Sequence, residues 1–145
     1  GVGLLAAAVA DRFGPSTRIT SVEADPRATD HASENLAEWL GAGAESGRVD
    51  RWLRALQERT AGDRSPLDGA TVVLDPPRSG AGVDVMAALG RLAPAQLVYV
   101  ACDPVALARD VALAEAHGYR LARIRAFDLF PHTHHVEAVA TLIRD

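Results

Sequence analysis

Apolar runs and helical periodicities alternate along this chain, and the alternation predicts a parallel α/β sheet. The predicted strands are short and apolar or alternating, and they lie at 18–23, 70–74, 96–101, 119–127 and 136–143. The predicted helices carry apolar residues three or four positions apart, and they lie at 4–13, 26–40, 49–56, 83–92 and 104–117. Residues 41–47 and 61–69 are rich in glycine or turn-forming residues and are expected to be loops.

Local signals refine these elements. Asp25-Pro26 and Asp103-Pro104 are typical helix starts, with aspartate at the N-cap and proline at the first helical position. The run at 70–74 is typical of a strand covered on both faces. The loop at 128–135 is too short for a crossover helix, so the last two strands should be antiparallel. We therefore expect a doubly wound sheet that ends in an antiparallel hairpin.

Composition and charge limit the possible functions. The 145 residues are 48% hydrophobic and suit one globular domain. No apolar stretch approaches the roughly 20 residues that span a bilayer, so no membrane partner is expected. A lone cysteine suits a reducing compartment, and we expect a cytoplasmic protein. The net charge of −4 argues mildly against a polyanionic partner, although local clusters of arginine can override it.

The chain opens on a possible nucleotide-binding turn. Gly1-Val2-Gly3-Leu4-Leu5-Ala6 fits the pattern G-x-G-x-x-A, and Glu23 follows about 20 residues later, where a carboxylate would accept hydrogen bonds from ribose hydroxyls. This turn normally follows a first strand, which we expect ahead of Gly1. The pattern does not separate a nicotinamide cofactor from S-adenosylmethionine, and a glycine-rich helix entry without a ligand is the alternative.

Two further candidates follow predicted strands. Asp75 ends the strand at 70–74 and precedes two prolines and Arg78, which could meet a phosphate. Cys102 ends the strand at 96–101 and precedes a helix, whose N-terminus favours a thiolate, while the charge of Asp103 opposes it. An ordinary strand-exit turn and a buried structural cysteine are the respective alternatives.

Residues 130–139 contain three histidines and Glu137. His132, His134 and Glu137 are suitable metal-ligand types, but a polar loop accounts for them equally well. Strand alternation puts Val136, Ala138 and Ala140 on one face and Glu137 on the other, with Val139 and Thr141. Glu137 therefore begins a largely apolar face, where a carboxylate could transfer protons.

Four segments together resemble one family. They are Gly1-Val2-Gly3, Asp75-Pro76-Pro77-Arg78-Ser79-Gly80, residues 101–110 (ACDPVALARD) and residues 128–137 (DLFPHTHHVE). In order and spacing the chain resembles the catalytic domain of the S-adenosylmethionine-dependent RNA uracil-C5 methyltransferases, which make 5-methyluridine in tRNA and rRNA. The resemblance implies a Rossmann-like class I methyltransferase sheet that lacks its first strand in this sequence.

The resemblance also implies roles for single residues. Cys102 would be the nucleophile and Glu137 the base that removes the C5 proton. Gly1, Gly3, Glu23 and Asp75 would contact S-adenosylmethionine, and no metal is implied. The implied partner is a tRNA or rRNA uridine, held also by a domain ahead of this region. Because the first strand is missing from this sequence, the chain alone is expected to be weak or inactive.

Alternatives remain open on the residues alone. A nicotinamide-binding oxidoreductase domain would explain the glycine turn but neither Cys102 nor the loop after Asp75. An RNA cytosine-C5 methyltransferase would also use a cysteine nucleophile. A non-catalytic or metal-binding module would rest on the histidine loop.

Overall fold

The structure is a computed structural model, and it describes residues 1–59, 65–133 and 136–144. It divides into two compact units, residues 1–52 and residues 53–145. The elements alternate between helix and strand in the order α1 (Leu4–Phe13), β1 (Ile19–Glu23), α2 (Pro26–Leu36), β2 (Ala42–Ser46), α3 (Val49–Arg59), β3 (Thr71–Leu74), α4 (Val83–Leu92), β4 (Gln96–Ala101), α5 (Pro104–Glu115), β5 (Tyr119–Phe127) and β6 (Glu137–Arg144).

The first unit is built on a pair of parallel strands. β1 pairs with β2 from Ile19 opposite Ala42 to Glu23 opposite Ser46. Helix α2 packs on both strands, and its residues Ala32 and Leu36 are buried. A parallel pair requires a crossover connection, which α2 supplies.

The second unit contains a four-stranded sheet in the order β3-β4-β6-β5. β3 and β4 are parallel, whereas β6 runs antiparallel to both β4 and β5. Helices α4 and α5 pack together, and α5 also contacts β4, β5 and β6. The core of this unit consists of fully buried side chains, including Met86, Leu89, Leu97, Tyr99, Ala140 and Leu142.

The antiparallel hairpin that the sequence predicts is confirmed, and so is the alternation along β6. Ala138, Ala140 and Leu142 are buried, while Glu137, Val139 and the residues that alternate with them are half-buried. Both aspartate-proline starts are also confirmed, because Asp25 and Asp103 cap α2 and α5 with their carboxylates.

Three local expectations are wrong. Residues 42–46 form strand β2 rather than a loop, because they pair with β1 along its whole length. Helix α2 ends at Leu36, so Leu40 does not share its buried face and is 99% exposed. Strand β3 is not covered on both faces, since Val73 is 41% exposed. The expected connector at 61–69 lies partly outside the described residues.

Within the described residues, no helix is both long enough and apolar enough to cross a membrane.

Candidate active site

Three of the candidate residues lie at one edge of the four-stranded sheet. Asp75 directly follows β3 and Cys102 directly follows β4, and these two strands are parallel. Glu137 is the first residue of β6, which runs antiparallel to β4. The carboxyl ends of β3 and β4 and the start of β6 therefore meet at the same edge, which is where ligands bind in open α/β sheets.

The ladder between β4 and β6 relates Cys102 to Glu137. Its last pair joins Ala101 to Ala138, so Cys102 directly follows one member of this pair and Glu137 directly precedes the other. Cys102 and Glu137 thus flank the last pair of the ladder although they are distant in sequence.

Cys102 is a free thiol and is half-buried. The next residue, Asp103, has an extended backbone, and its carboxylate accepts a hydrogen bond of 2.8 Å from the backbone N–H of Ala106. This cap fixes the chain where β4 ends and α5 begins. The thiol is therefore held at a defined position beside a helix N-terminus, and it is not sealed inside the core.

A pocket of about 360 Å³ opens beside Glu137. Its lining comes from the last strands and from the loop that joins them, and it consists of Val100, Phe127, Leu129, Phe130, Glu137, Ala138 and Val139. Val100 pairs with Val139 and Phe127 pairs with Glu137 in the two ladders. The pocket therefore lies on the face of the sheet that carries Val100, Glu137 and Val139. Its walls are apolar and aromatic, which suits a planar heterocyclic base.

A buried polar network holds the loop that follows Asp75. The side chain of Asp110 on α5 is fully buried, and Oδ2 accepts hydrogen bonds from the hydroxyl of Tyr99 at 2.6 Å and the N–H of Ala81 at 2.7 Å. Arg109 donates to Oδ1 of Asp110 at 2.8 Å and to the carbonyl of Ser79 at 2.7 Å. These hydrogen bonds join β4 and α5 to the loop residues 79–82.

The electrostatics of this network are coupled. Burial alone would raise the pKa of Asp110, but the hydrogen bonds from Tyr99 and Arg109 outweigh it and hold the pKa below its usual value. Burial, together with the bond to Asp110, raises the pKa of Tyr99. Asp110 is therefore a buried carboxylate, and Tyr99 stays a neutral donor.

This network was not anticipated from the sequence. One sequence feature could have indicated the network. Arg109 and Asp110 form a charged pair at the end of segment 101–110, on the helix that begins beside Cys102. Their partners Tyr99 and Ala81 are unremarkable in sequence, and only the fold brings them to the same carboxylate.

In the first unit, Gly1, Gly3 and Glu23 lie together. Gly3 has a left-handed backbone with φ 83°, and a Cβ atom placed on it would lie 3.1 Å from Ala32 on α2. The amino group of Gly1 contacts one carboxylate oxygen of Glu23, and the other oxygen accepts from the N–H of Asp25 at 2.8 Å. Asn35 donates to the carbonyl of Val2 at 2.9 Å and ties the turn to α2.

The remaining candidates are the loop residues after β3 and the histidines before β6. Asp75 and Arg78 are exposed at the start of their loop. His132 is exposed and has a positive φ of 66°. His134, which the metal interpretation requires, lies outside the described residues. Among residues 1–59, 65–133 and 136–144, no group of three or more His, Cys, Asp or Glu side chains could hold a metal ion.

Comparisons with known proteins place the chain in a family. Residues 54–145 match the family model described as tRNA (uracil-5-)-methyltransferase. An uncharacterized RNA methyltransferase of Streptomyces avermitilis is 44% identical over 142 residues, which are 98% of this chain and 31% of that protein. The 23S rRNA (uracil(1939)-C(5))-methyltransferase RlmD of Yersinia enterocolitica is 49% identical over 74 residues, which are 51% of this chain and 16% of that protein.

Among solved structures, the chain is similar to the tRNA (uracil-54, C5)-methyltransferase of Pyrococcus abyssi in complex with S-adenosyl-L-homocysteine. The identity is 31% and the TM-score 0.77, covering 99% of this chain and 32% of that chain. The fold is thus the expected Rossmann-like class I methyltransferase fold. The chain spans about a third of the length of the Streptomyces and Pyrococcus proteins, which it matches over nearly all of its own residues.

Proposed function

Because this chain belongs to the tRNA (uracil-5-)-methyltransferase family, we propose that it is the catalytic domain of an S-adenosylmethionine-dependent RNA uracil-C5 methyltransferase. Its substrate is a uridine in tRNA or rRNA. The observation that carries the proposal is that Cys102 and Glu137 flank the last β4–β6 pair, Ala101 with Ala138, where Glu137 lines an apolar pocket. A nucleophile and a base must both reach one pyrimidine, and this arrangement supports such a pair.

The residues of the first unit suit the cofactor. The left-handed backbone of Gly3 forms a tight turn that packs against Ala32 of α2, as a cofactor-binding turn between strand and helix requires. The Glu23 carboxylate beside this turn is a suitable acceptor for ribose hydroxyls. The contact between Asp75 and the cofactor, which the family resemblance implies, stays a prediction. When bound, S-adenosylmethionine supplies an electrophilic methyl group.

Cys102 acts first. C5 of uracil is a poor nucleophile, so the ring must be activated before it can take a methyl group. The Cys102 thiolate adds to C6, and the electron pair of the C5–C6 bond moves into an enolate with density at C5. C5 would then take the methyl group, whose bond to the sulfonium sulfur breaks to leave S-adenosylhomocysteine. Cys102 stands just after the end of β4, directly before the Asp103 cap of α5.

Glu137 completes the reaction. Its carboxylate removes the C5 proton, the C5–C6 double bond re-forms, and the Cys102 thiolate leaves. Glu137 lines the apolar pocket next to Phe127, so a base in that pocket presents its edge to the carboxylate. The base must leave its stack to enter the pocket, and Phe127 and Phe130 offer new stacking surfaces that offset the loss.

The test is trapping of the covalent intermediate. Full-length protein is incubated with S-adenosylmethionine and an RNA that carries 5-fluorouridine. Fluorine replaces the C5 proton, so the methylated adduct has nothing for Glu137 to remove and should persist in denaturing gels. Cys102→Ala should abolish the adduct.

Glu137→Gln separates the two roles. With ordinary uridine RNA, this variant should accumulate an adduct that the wild type releases, and with 5-fluorouridine RNA both should give the adduct. Glu115→Gln changes an exposed glutamate at the end of α5 and should behave as the wild type. An adduct that survives Cys102→Ala would refute the assignment of the nucleophile.

A further inference from the structure

Strand β5 carries three exposed arginines, Arg120, Arg123 and Arg125. In β5, Arg120 pairs with Ile143, Arg123 with Thr141 and Arg125 with Val139. These partners are alternate residues of β6 on the face of Glu137. The three arginines therefore project from the same face of the sheet, and we call them the arginine stripe.

A β-bulge makes this arrangement possible. Residues 120, 123 and 125 could not share a face in a regular strand, because side chains alternate at every position. The register shifts between Leu121 and Arg123, and the extra residue returns Arg120 to the face of Arg123 and Arg125. Bulges commonly re-aim side chains near functional sites.

The arginine stripe is continuous with the proposed base pocket. Phe127 lines the pocket and pairs with Glu137, and Arg125 is two residues further along the same face. The guanidinium of Arg125 lies over the ring of Phe127, 5.1 Å from its centroid. This cation–π contact holds the charge of Arg125 at the rim of the pocket.

We propose that the arginine stripe binds the phosphates of the RNA strand that flanks the target uridine. This inference rests on the proposed function, since it assigns the path of the substrate away from the same pocket. The chain has a net charge of −4 and as a whole repels a polyanion. Binding of RNA therefore requires positive charge concentrated in one place, and the arginine stripe supplies it beside the pocket. Arginine also suits phosphate, because its planar guanidinium donates two parallel hydrogen bonds.

The test measures the salt dependence of RNA binding by the full-length protein. The probe is a single-stranded uridine-containing RNA, and its Kd is followed by fluorescence anisotropy from low to high salt. Each phosphate contact on a single strand contributes about 0.7 to the slope of log K against log salt. Arg123→Ala/Arg125→Ala should bind about tenfold more weakly at low salt and reduce the slope by about 1.4.

Two matched variants keep the test specific. Arg51→Ala/Arg54→Ala removes the same charge from exposed positions of α3 and should leave the slope at its wild-type value. Arg123→Lys/Arg125→Lys keeps the charge and should retain most of the slope. A Kd and slope for Arg123→Ala/Arg125→Ala equal to those of the α3 control would overturn the inference, as would a change in oligomeric state without a change in RNA binding.

The adduct assay distinguishes this inference from the proposed function. If wild-type protein forms the 5-fluorouridine adduct but the stripe variants bind RNA normally, only the arginine stripe is misassigned. If wild-type protein binds RNA with the expected salt slope but forms no adduct, the proposed chemistry fails and the stripe remains supported.

Discussion

Asp110 shows how much a single side chain contributes to the candidate site. Its carboxylate is fully buried and accepts hydrogen bonds from Tyr99, Arg109 and the backbone of Ala81. Hydrogen bonds to a charged group contribute more than neutral ones, and breaking a buried pair leaves its partners unpaired. The loop after Asp75 is thus held by charge and hydrogen bonding in addition to apolar packing.

Asp110→Asn should therefore lower the free energy of unfolding by about 2–4 kcal/mol. The amide nitrogen of asparagine would face either Arg109 or the other donors, so no rotamer satisfies them all. Urea titration measures the loss. Asp11→Asn, an exposed change on α1, should cost less than about 0.5 kcal/mol, and an equal effect of the two substitutions would contradict the assigned role of Asp110.

The pKa of Asp110 lies below its usual value, and the sign of the resulting pH dependence follows. Between the folded and the unfolded pKa, the unfolded chain binds more protons, so acid favours unfolding. The contribution of Asp110 is complete above about pH 4 and is lost as the pH falls further. The stability difference between wild type and Asp110→Asn should therefore shrink below about pH 4 in urea titrations, and a constant difference would contradict this.

Glycine substitutions test the loop between β3 and α4 as an element. Gly80 and Gly82 both have a positive φ, 81° and 83°, so alanine strains the backbone at either position. A Cβ atom at Gly80 would also collide with Arg109 and Asp110, whereas a Cβ at Gly82 meets nothing within 4 Å. Gly80→Ala should cost at least about 1 kcal/mol more than Gly82→Ala by thermal or urea unfolding, and equal losses would count against the network.

The cap of α5 offers a second test at this scale. Asp103 accepts from the N–H of Ala106, and Asp103→Ala removes that acceptor. The expected loss is about 1 kcal/mol, while Asp103→Asn keeps an acceptor and should be nearly neutral. Urea titration of the two variants decides it. A loss for Asp103→Asn as large as the loss for Asp103→Ala would show that the charge, rather than the capping hydrogen bond, stabilises the start of α5.

The elements also show what the sequence could and could not predict. Helices α1 and α4 and strands β4 and β5 match their predicted bounds, because their apolar periodicity or flanking turn residues are strong. Strand β2 was missed since its residues, Ala-Gly-Ala-Glu-Ser, have little strand propensity and gain their structure from pairing with β1. The edge holding Asp75, Cys102 and Glu137 followed from strand order, whereas the bulge in β5 depends on register, which composition does not encode.

At the scale of the whole molecule, the two units differ in how well their sheets protect backbone amides from hydrogen exchange. The first unit holds a two-stranded sheet, which is marginal by itself, whereas β4 and β6 are the inner strands of a four-stranded sheet. Native-state hydrogen exchange should therefore find β1 and β2 opening at lower free energy than β4 and β6. Equal protection of the amides of Ser21 and Leu97 would contradict this expectation.

The antiparallel insertion of β6 has a consequence for variation among relatives. The position of Glu137 is set by backbone pairing with β4 and not by the length of the hairpin loop. A change in the length of the loop between Phe127 and Glu137 would therefore leave the carboxylate at its ladder position but move the pocket residues Leu129 and Phe130. A slip of one residue within the ladder, by contrast, would turn it to the opposite face and remove it from reach of the thiol.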